Sequence, residues 1–135
     1  MLVAKIEQLF NLIKEREVIL TQKKMLLEKN NQIWLAKIEA FVCNSLDNYN
    51  LTPNEVAQYM ELSEVHLNRK LKSIIGLTAS KYISEARLKK AFDILENKEM
   101  GSVKEVCYSV GFKSPKYFAK SFKQRFGKNP NEYLK

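Results

Sequence analysis

The chain has 135 residues, 45% of them hydrophobic, which is enough for one compact domain and a short additional segment. Its net charge of +8 favours a polyanionic partner, although on charge alone a lysine-rich surface that only aids solubility remains an alternative. The N-terminus has no signal-peptide cleavage site and no bilayer-spanning apolar run, and no basic face lies opposite an exposed apolar stripe, so we expect no membrane partner.

Residues 2–31 contain neither Gly nor Pro and are predicted to form a helix. Four apolar residues recur every seven positions, as in a short coiled coil: Ile6, Ile13, Leu20 and Leu27. Leu2 and Leu9 begin a second apolar seam, but Arg16 and Lys23 interrupt it, so two interpretations remain open. The segment is either a stalk that forms a homodimer through residues 2–31, or a single helix that packs on the domain or links it to an upstream domain. A joint predicted at residues 30–33 separates a helical stalk at 1–33 from a domain at 34–135.

The domain is predicted to contain helices only. A first helix at 34–48 has one apolar face, formed by Leu35, Ile38, Val42 and Leu46. Thr52 and Pro53 are typical of a helix start, and Ser63 is expected to cap the next helix, which ends at Gly76. Further helices are predicted at about 79–97, 103–110, 115–126 and 130–133. With no predicted strand, the protein is expected to be all-α.

One pattern of about thirty residues occurs twice in this domain. The triplet Glu55-Val56-Ala57 recurs as Glu105-Val106-Cys107, at an offset of 50. After a turn the offset becomes 51, and the later pairs are Ser63/Ser114, Leu67/Phe118, Arg69/Lys120, Leu71/Phe122 and Gly76/Gly127. Two copies of one helical unit, each with a basic second helix, indicate a protein that binds two successive stretches of nucleic acid.

Each copy has the arrangement of a helix-turn-helix. A small residue, Ala57 or Cys107, lies four positions before the turn and lets the two helices approach closely. Gly111 permits positive φ at the second turn, whereas Glu61 makes the first turn either strained or different in shape. Apolar residues are expected to hold each second helix to the core: Leu67, Leu71 and Ile75, then Phe118, Phe122 and Phe126. The predicted units span about 53–75 and 103–126, and the helix at 79–97 joins them.

The outward faces of the second helices carry side chains that suit duplex DNA. Arg69 can pair bidentately with guanine and Asn68 with adenine, while Val65 or the ring of Tyr117 can contact a thymine methyl group. Phosphate contacts are expected from outward polar side chains and from backbone donors at the helix starts: Ser63, His66, Lys72, Lys113, Ser114 and Lys123. For each lysine taken alone, a solvated surface position is the alternative.

A spaced motif runs through the second unit and beyond it, comprising Val103, Val106, Cys107, Val110, Gly111, Phe112, Tyr117, Phe118, Lys120, Phe122, Gly127, Pro130 and Tyr133. This motif resembles the signature of the AraC/XylS family of bacterial transcription regulators, and the resemblance extends over residues 34–135. It implies seven helices, with two recognition helices in successive major grooves on one face of the DNA. It also implies a structural role for Arg87, and base contacts by Val65, Asn68 and Arg69 from the first recognition helix and by Lys116, Tyr117 and Lys120 from the second.

The sequence departs from the family pattern at four positions, namely Glu61, Cys107, Pro115 and Lys120. These departures concern turn geometry and sequence preference rather than the fold. Residues 1–33 resemble the connector that precedes this domain in hybrid two-component regulators. We therefore expect a cytoplasmic regulator that binds double-stranded DNA, with RNA polymerase as a further candidate partner and no cofactor or metal.

Other classes of function fit the residues less well. An enzyme is not expected, because the chain has one histidine, His66, and no Gly-rich phosphate loop, metal-ligand cluster or acid pair. Cys43 and Cys107 fall at apolar positions and are predicted to be small, unpaired core residues, as in a reducing compartment. RNA binding is disfavoured because most aromatic residues fall at positions predicted to be buried, where they cannot stack on unpaired bases. A basic protein-interaction or non-specific DNA-binding module, dimerised by the N-terminal helix, remains the alternative.

Overall fold

The computed structural model describes residues 2–135, and every regular element in this range is helical. The six α-helices are α1 (Leu2–Asn44), α2 (Pro53–Tyr59), α3 (Glu64–Ile75), α4 (Ala79–Glu96), α5 (Val103–Ser109) and α6 (Pro115–Phe126). A 3-10 helix at Pro130–Leu134 follows. The all-α prediction is therefore confirmed for the described residues, and the helices predicted from position 53 onward lie within a few residues of the observed ones.

Helix α1 is longer than predicted. It continues without interruption from Leu2 to Asn44, so the expected joint at residues 30–33 is wrong. Asparagine is only a moderately poor helix former, and Asn30 and Asn31 are accommodated inside the helix. The chain divides into two compact units, one ending at Lys37 and one spanning Ile38–Lys135, so the division falls within α1.

Hydroxyl side chains cap the N-termini of five helices. Thr52, Ser63, Thr78, Ser102 and Ser114 each accept a hydrogen bond from the backbone N–H three residues later. This bond satisfies one of the N–H groups that a helix start leaves without a partner. Gly76 and Gly127 end α3 and α6 in the left-handed conformation. The two predicted copies therefore begin and end their second helices in the same way.

The core of the second unit is built from one face of each helix. Ile38 and Val42 of α1 are fully buried, and so are Leu67 and Leu71 of α3. A ring cluster surrounds α6, where Phe118 and Phe122 are fully buried and pack with Phe112, Phe126 and Tyr133. These contacts bury a large apolar area and hold α6 against its own subdomain.

Two residues expected in the core are exposed instead. Ile75 is 37% exposed because it is the last residue of α3, immediately before the exposed Gly76. Cys43 is exposed because the buried face of this part of α1 contains Ile38 and Val42, and Cys43 follows Val42 on the neighbouring, solvent-facing side. Cys107 is buried, as predicted, and both thiols are free.

Among residues 2–135, no helix combines the length and the apolar character that crossing a membrane requires.

Candidate nucleic-acid interface

The turns between α2 and α3 and between α5 and α6 have the same hydrogen bonds. Leu62 N donates to the Ala57 carbonyl at 2.9 Å, and Phe112 N donates to the Cys107 carbonyl at 3.0 Å. The turn residues themselves, Glu61 and Gly111, each donate to the carbonyl three residues earlier at 3.1 Å. The sequence repeat therefore corresponds to two helix-turn-helix units with one backbone geometry.

Both turn residues are left-handed, with φ of 58° at Glu61 and 91° at Gly111. Of the two alternatives for the first turn, strain rather than a different shape is therefore observed. A left-handed conformation costs a residue with a side chain about 1–2 kcal/mol. Gly111 meets a second constraint, because a Cβ there would overlap the guanidinium of Arg87 and the carbonyl of Leu46.

Arg87 of α4 explains this crowding. It is 6% exposed, and its guanidinium donates to the Leu46 carbonyl, to the Val110 carbonyl at 2.7 Å and to the Asn48 carbonyl at 3.0 Å. Burial lowers the pKa of this guanidinium, yet arginine stays charged in proteins. Its positive charge is placed just beyond the C-terminal ends of α1 and α5, where helix dipoles favour cations. Arg87 thus ties the α1–α2 loop to the second helix-turn-helix, which confirms its structural role.

The recognition helices α3 and α6 expose most of the side chains predicted to contact bases. Val65 is 66% exposed and Tyr117 is 59% exposed, and three basic residues are exposed as well: Arg69, Lys116 and Lys120. On both helices the buried residues lie on the opposite face. Each helix therefore presents a mixed basic and apolar surface to solvent.

Asn68 is placed differently. Its side chain is half-buried, and Oδ1 accepts a hydrogen bond from the backbone N–H of Ala79 at 2.9 Å. Ala79 is the first residue of α4, so this bond satisfies an N–H that has no partner within the helix. Bidentate pairing with adenine requires the same oxygen as an acceptor. The position of Asn68 thus favours a structural role over base contact.

The residues predicted to contact phosphates lie at the starts and along the outer faces of α3 and α6. Ser63 and Ser114 are exposed and use Oγ to cap their helices through His66 N and Tyr117 N, both at 3.2 Å. Ser63 Oγ also lies 3.0 Å from His66 Nδ1. Three exposed lysines complete the set: Lys72, Lys113 and Lys123.

The charge around the two recognition helices is unequal. Glu61 and Glu64 flank the start of α3, whereas α6 contains no acidic residue. Four basic residues lie on α6: Lys116, Lys120, Lys123 and Arg125. Arg125 pairs with Glu85 of α4 at 2.8 Å on the surface. The α6 side consequently has the stronger positive potential.

One surface feature was not found by sequence analysis. A depression of about 440 Å³ lies next to the start of α6 and is lined by Tyr49, Asn50, Tyr108 and Lys113. Lys113 Nζ lies 3.4 Å from Asn50 Oδ1, although the two residues are 63 positions apart in the chain. Neither periodicity nor the repeat could have indicated this pairing, because Tyr49 and Asn50 lie outside both copies.

Comparison with known proteins places these features among regulators of transcription. Residues 56–135 match a family model described as a helix-turn-helix domain. Histidine kinase P4 of Formosa agariphila is 30% identical over 114 residues, which are 84% of this chain and 8% of the kinase. The transcriptional activator RhaS of Escherichia coli is 27% identical over 118 residues, 86% of this chain and 42% of RhaS. The chain thus spans less than half the length of these relatives.

Solved structures show the same fold. The DNA-binding domain of AdpA, determined in complex with a target DNA, has a TM-score of 0.67 and 25% identity, covering 74% of this chain and 88% of that one. The C-terminal domain of AraT, a response regulator from Geobacillus stearothermophilus, has a TM-score of 0.67 and 26% identity, covering 75% of this chain and 83% of that one.

Proposed function

Because the chain belongs to the AraC family of helix-turn-helix transcription regulators, we propose that residues 38–135 bind duplex DNA, with α3 and α6 in successive major grooves. The observation that carries this proposal is the pair of helix-turn-helix units with matching turn hydrogen bonds and outward basic helices. We further propose that the protein acts in the bacterial cytoplasm, with RNA polymerase as a candidate partner. We propose no catalytic step.

Arg69 and Lys120 are the central base contacts in this proposal. They occupy equivalent positions in the two copies, and both are exposed. Their donors can reach the O6 and N7 acceptors of guanine in the major groove. Val65, Lys116 and Tyr117 supply the neighbouring contacts. We assign Asn68 to the start of α4 instead of to a base.

Phosphate contacts fix the position of each helix without specifying sequence. We assign them to the six residues predicted above: Ser63, His66, Lys72, Lys113, Ser114 and Lys123. At the start of α6 the cap already uses Tyr117 N, and Pro115 has no N–H, so few backbone donors remain there. Lysine side chains consequently supply most of the phosphate binding on the α6 side.

Selection of randomised duplex DNA by the protein, followed by sequencing, tests this function. We expect a bipartite, non-palindromic motif whose halves are about 10 bp apart, because one chain presents both recognition helices. A pool that binds but contains no shared motif would contradict base recognition. It would favour the alternative, a basic module that binds anions without discrimination.

A second proposal concerns residues 2–31, which we infer form a homodimer. In residues 2–33, fourteen large apolar side chains are each at least 49% exposed, including Ile6 and Ile13 of the seven-residue repeat and Leu9 of the second seam. An apolar surface of this extent is unusual on a monomer and is typical of an interface. Parallel pairing would bury the seam, whereas Arg16 and Lys23 would weaken the coil nearer the domain.

Sedimentation of the full chain tests the dimer. Ile13→Asp places a charge in the seam, and we expect it to shift the protein to monomer. Asn11→Asp is the matched control, because it adds the same charge at an exposed position outside the seam. A wild-type monomer at micromolar concentration, or equal effects of both variants, would contradict dimerisation through this helix.

A further inference from the structure

The loop between α1 and α2 has a defined conformation. Ser45 N donates to the Val42 carbonyl and Asn48 N to the Ser45 carbonyl, both at 3.0 Å. Asn50 N donates to Asn48 Oδ1 at 2.9 Å, which closes an Asx turn. Leu46 and Leu51 are buried at either side of the loop tip. The tip, Tyr49 and Asn50, is therefore presented to solvent from a fixed base.

Arg87 holds this loop against the second helix-turn-helix. The same guanidinium that binds the Leu46 and Asn48 carbonyls also binds the carbonyl of Val110, next to the turn residue Gly111. Hydrogen bonds from a charged donor are stronger than neutral ones, so they limit relative movement of the two segments. The loop tip is consequently fixed beside the residues that precede α6.

Each residue that lines the depression between these segments carries a hydrogen-bond donor. Tyr49 is 44% exposed and Tyr108 is 39% exposed, and with Asn50 and Lys113 they line the surface. Two hydroxyls, an amide and an ammonium group can all donate hydrogen bonds, and no carboxylate is among the four. The 3.4 Å contact between Lys113 Nζ and Asn50 Oδ1 uses one ammonium hydrogen and leaves others for a ligand.

The position of the depression points to a ligand class. Lys113 directly precedes Ser114, the cap of recognition helix α6. The first turn of a recognition helix faces the base edges, so residues that directly precede the helix can reach the phosphate backbone that borders the groove. We propose that the α1–α2 loop is a third DNA-binding segment, in which Tyr49 and Asn50, beside Lys113, bind one backbone phosphate. This inference rests on the proposed function, since it requires α6 to enter a groove.

Replacing single phosphates by uncharged methylphosphonates tests the contact between the loop and the DNA backbone. In the selected site, each phosphate next to the α6 half is replaced in turn by a methylphosphonate, and the Kd of the full chain is measured by fluorescence anisotropy. We expect one replacement to weaken wild-type binding about tenfold, as loss of hydrogen bonds to a charged group does. Asn50→Asp should weaken binding to unmodified DNA about tenfold through repulsion, and Tyr49→Phe about threefold by removing one donor.

Combining the protein substitution with the methylphosphonate distinguishes a direct contact from a general loss of affinity. At the contacted phosphate, the methylphosphonate should weaken the Asn50→Asp variant far less than wild type, because the interaction is already lost. Tyr59→Phe is the matched control, since Tyr59 is 45% exposed but its ring stacks on Phe41 outside the depression. We expect it to leave Kd unchanged.

Two results would overturn the inference, and they are distinguishable. If wild type binds tightly and the Tyr49 and Asn50 variants bind equally well, the loop does not contact DNA, and the proposed function stands. The same conclusion follows if the effects of substitution and methylphosphonate add at every phosphate. A wild-type chain that binds no duplex at all overturns the proposed function, and the loop contact with it.

Discussion

Substitution of Gly111 by alanine should destabilise the domain far more than the same substitution at the equivalent turn residue, Glu61. The added Cβ meets a left-handed φ of 91°, the Arg87 guanidinium and the Leu46 carbonyl at once. Backbone strain alone costs about 1–2 kcal/mol. Displacement of Arg87 adds a larger cost, because removing the partner of a buried charge typically costs about 3–5 kcal/mol.

We therefore expect Gly111→Ala to lower the free energy of unfolding by at least about 3 kcal/mol, a large part of the roughly 5–15 kcal/mol of a typical domain. Urea unfolding, monitored by the circular dichroism signal of the helices, measures this free energy of unfolding. Glu61→Ala is the control, since alanine and glutamate are both strained at φ 58°. We expect it to change stability by less than about 0.5 kcal/mol, as for other surface substitutions.

A double-mutant cycle then assigns the cause. In an Arg87→Ala background the guanidinium is absent, so Gly111→Ala should cost at least about 1 kcal/mol less than in the wild type. The Leu46 carbonyl and the left-handed backbone still oppose the methyl group, so some cost remains. Strict additivity of the two changes, or a Gly111→Ala cost below about 1 kcal/mol, would refute the argument that Arg87 and Gly111 are coupled.

The remaining predictions separate structural from DNA-binding roles. Asn68→Ala should lower stability by about 1–2 kcal/mol, because Ala79 N loses its acceptor, and leave the selected motif unchanged; an altered motif would restore Asn68 as a base contact. Arg69→Ala should weaken binding by about 1–3 kcal/mol at one base pair, whereas Lys123→Ala should weaken all sequences evenly and reduce the salt slope by about one. Equal losses on every sequence for Arg69→Ala would contradict base recognition. Burial, with Glu39 and Cys43 nearby, raises the pKa of Tyr82 to about 12, above its unfolded value of 10.0, so ionisation of the unfolded chain should reduce stability between pH 10 and 12. Tyr82→Phe should remove that part of the pH dependence, and identical pH profiles would show that Tyr82 does not contribute.

Local signals account for the helices from position 53 onward. Ser63, Ser114, Gly76 and Gly127 act on backbone groups within four residues of themselves, so the sequence determined where α3 and α6 begin and end. The internal repeat likewise predicted two helix-turn-helix units and the outward positions of Arg69 and Lys120. These features follow from short-range hydrogen bonds and helical periodicity, which can be recognised along a chain.

Other features depend on contacts between distant parts of the chain. The length of α1 was not predictable because the polar residues at 30–32 permit both a joint and a continuous helix. Packing likewise decides that Cys43 faces solvent and that Asn68 supports the start of α4. The need for glycine at 111 but not at 61 follows from one buried arginine whose carbonyl partners lie up to 41 positions away. The α1–α2 loop reaches the start of α6 for the same reason. Hydrogen bonds and close contacts of this kind form only when the tertiary fold brings remote groups within about 3 Å of each other, and no local pattern records them.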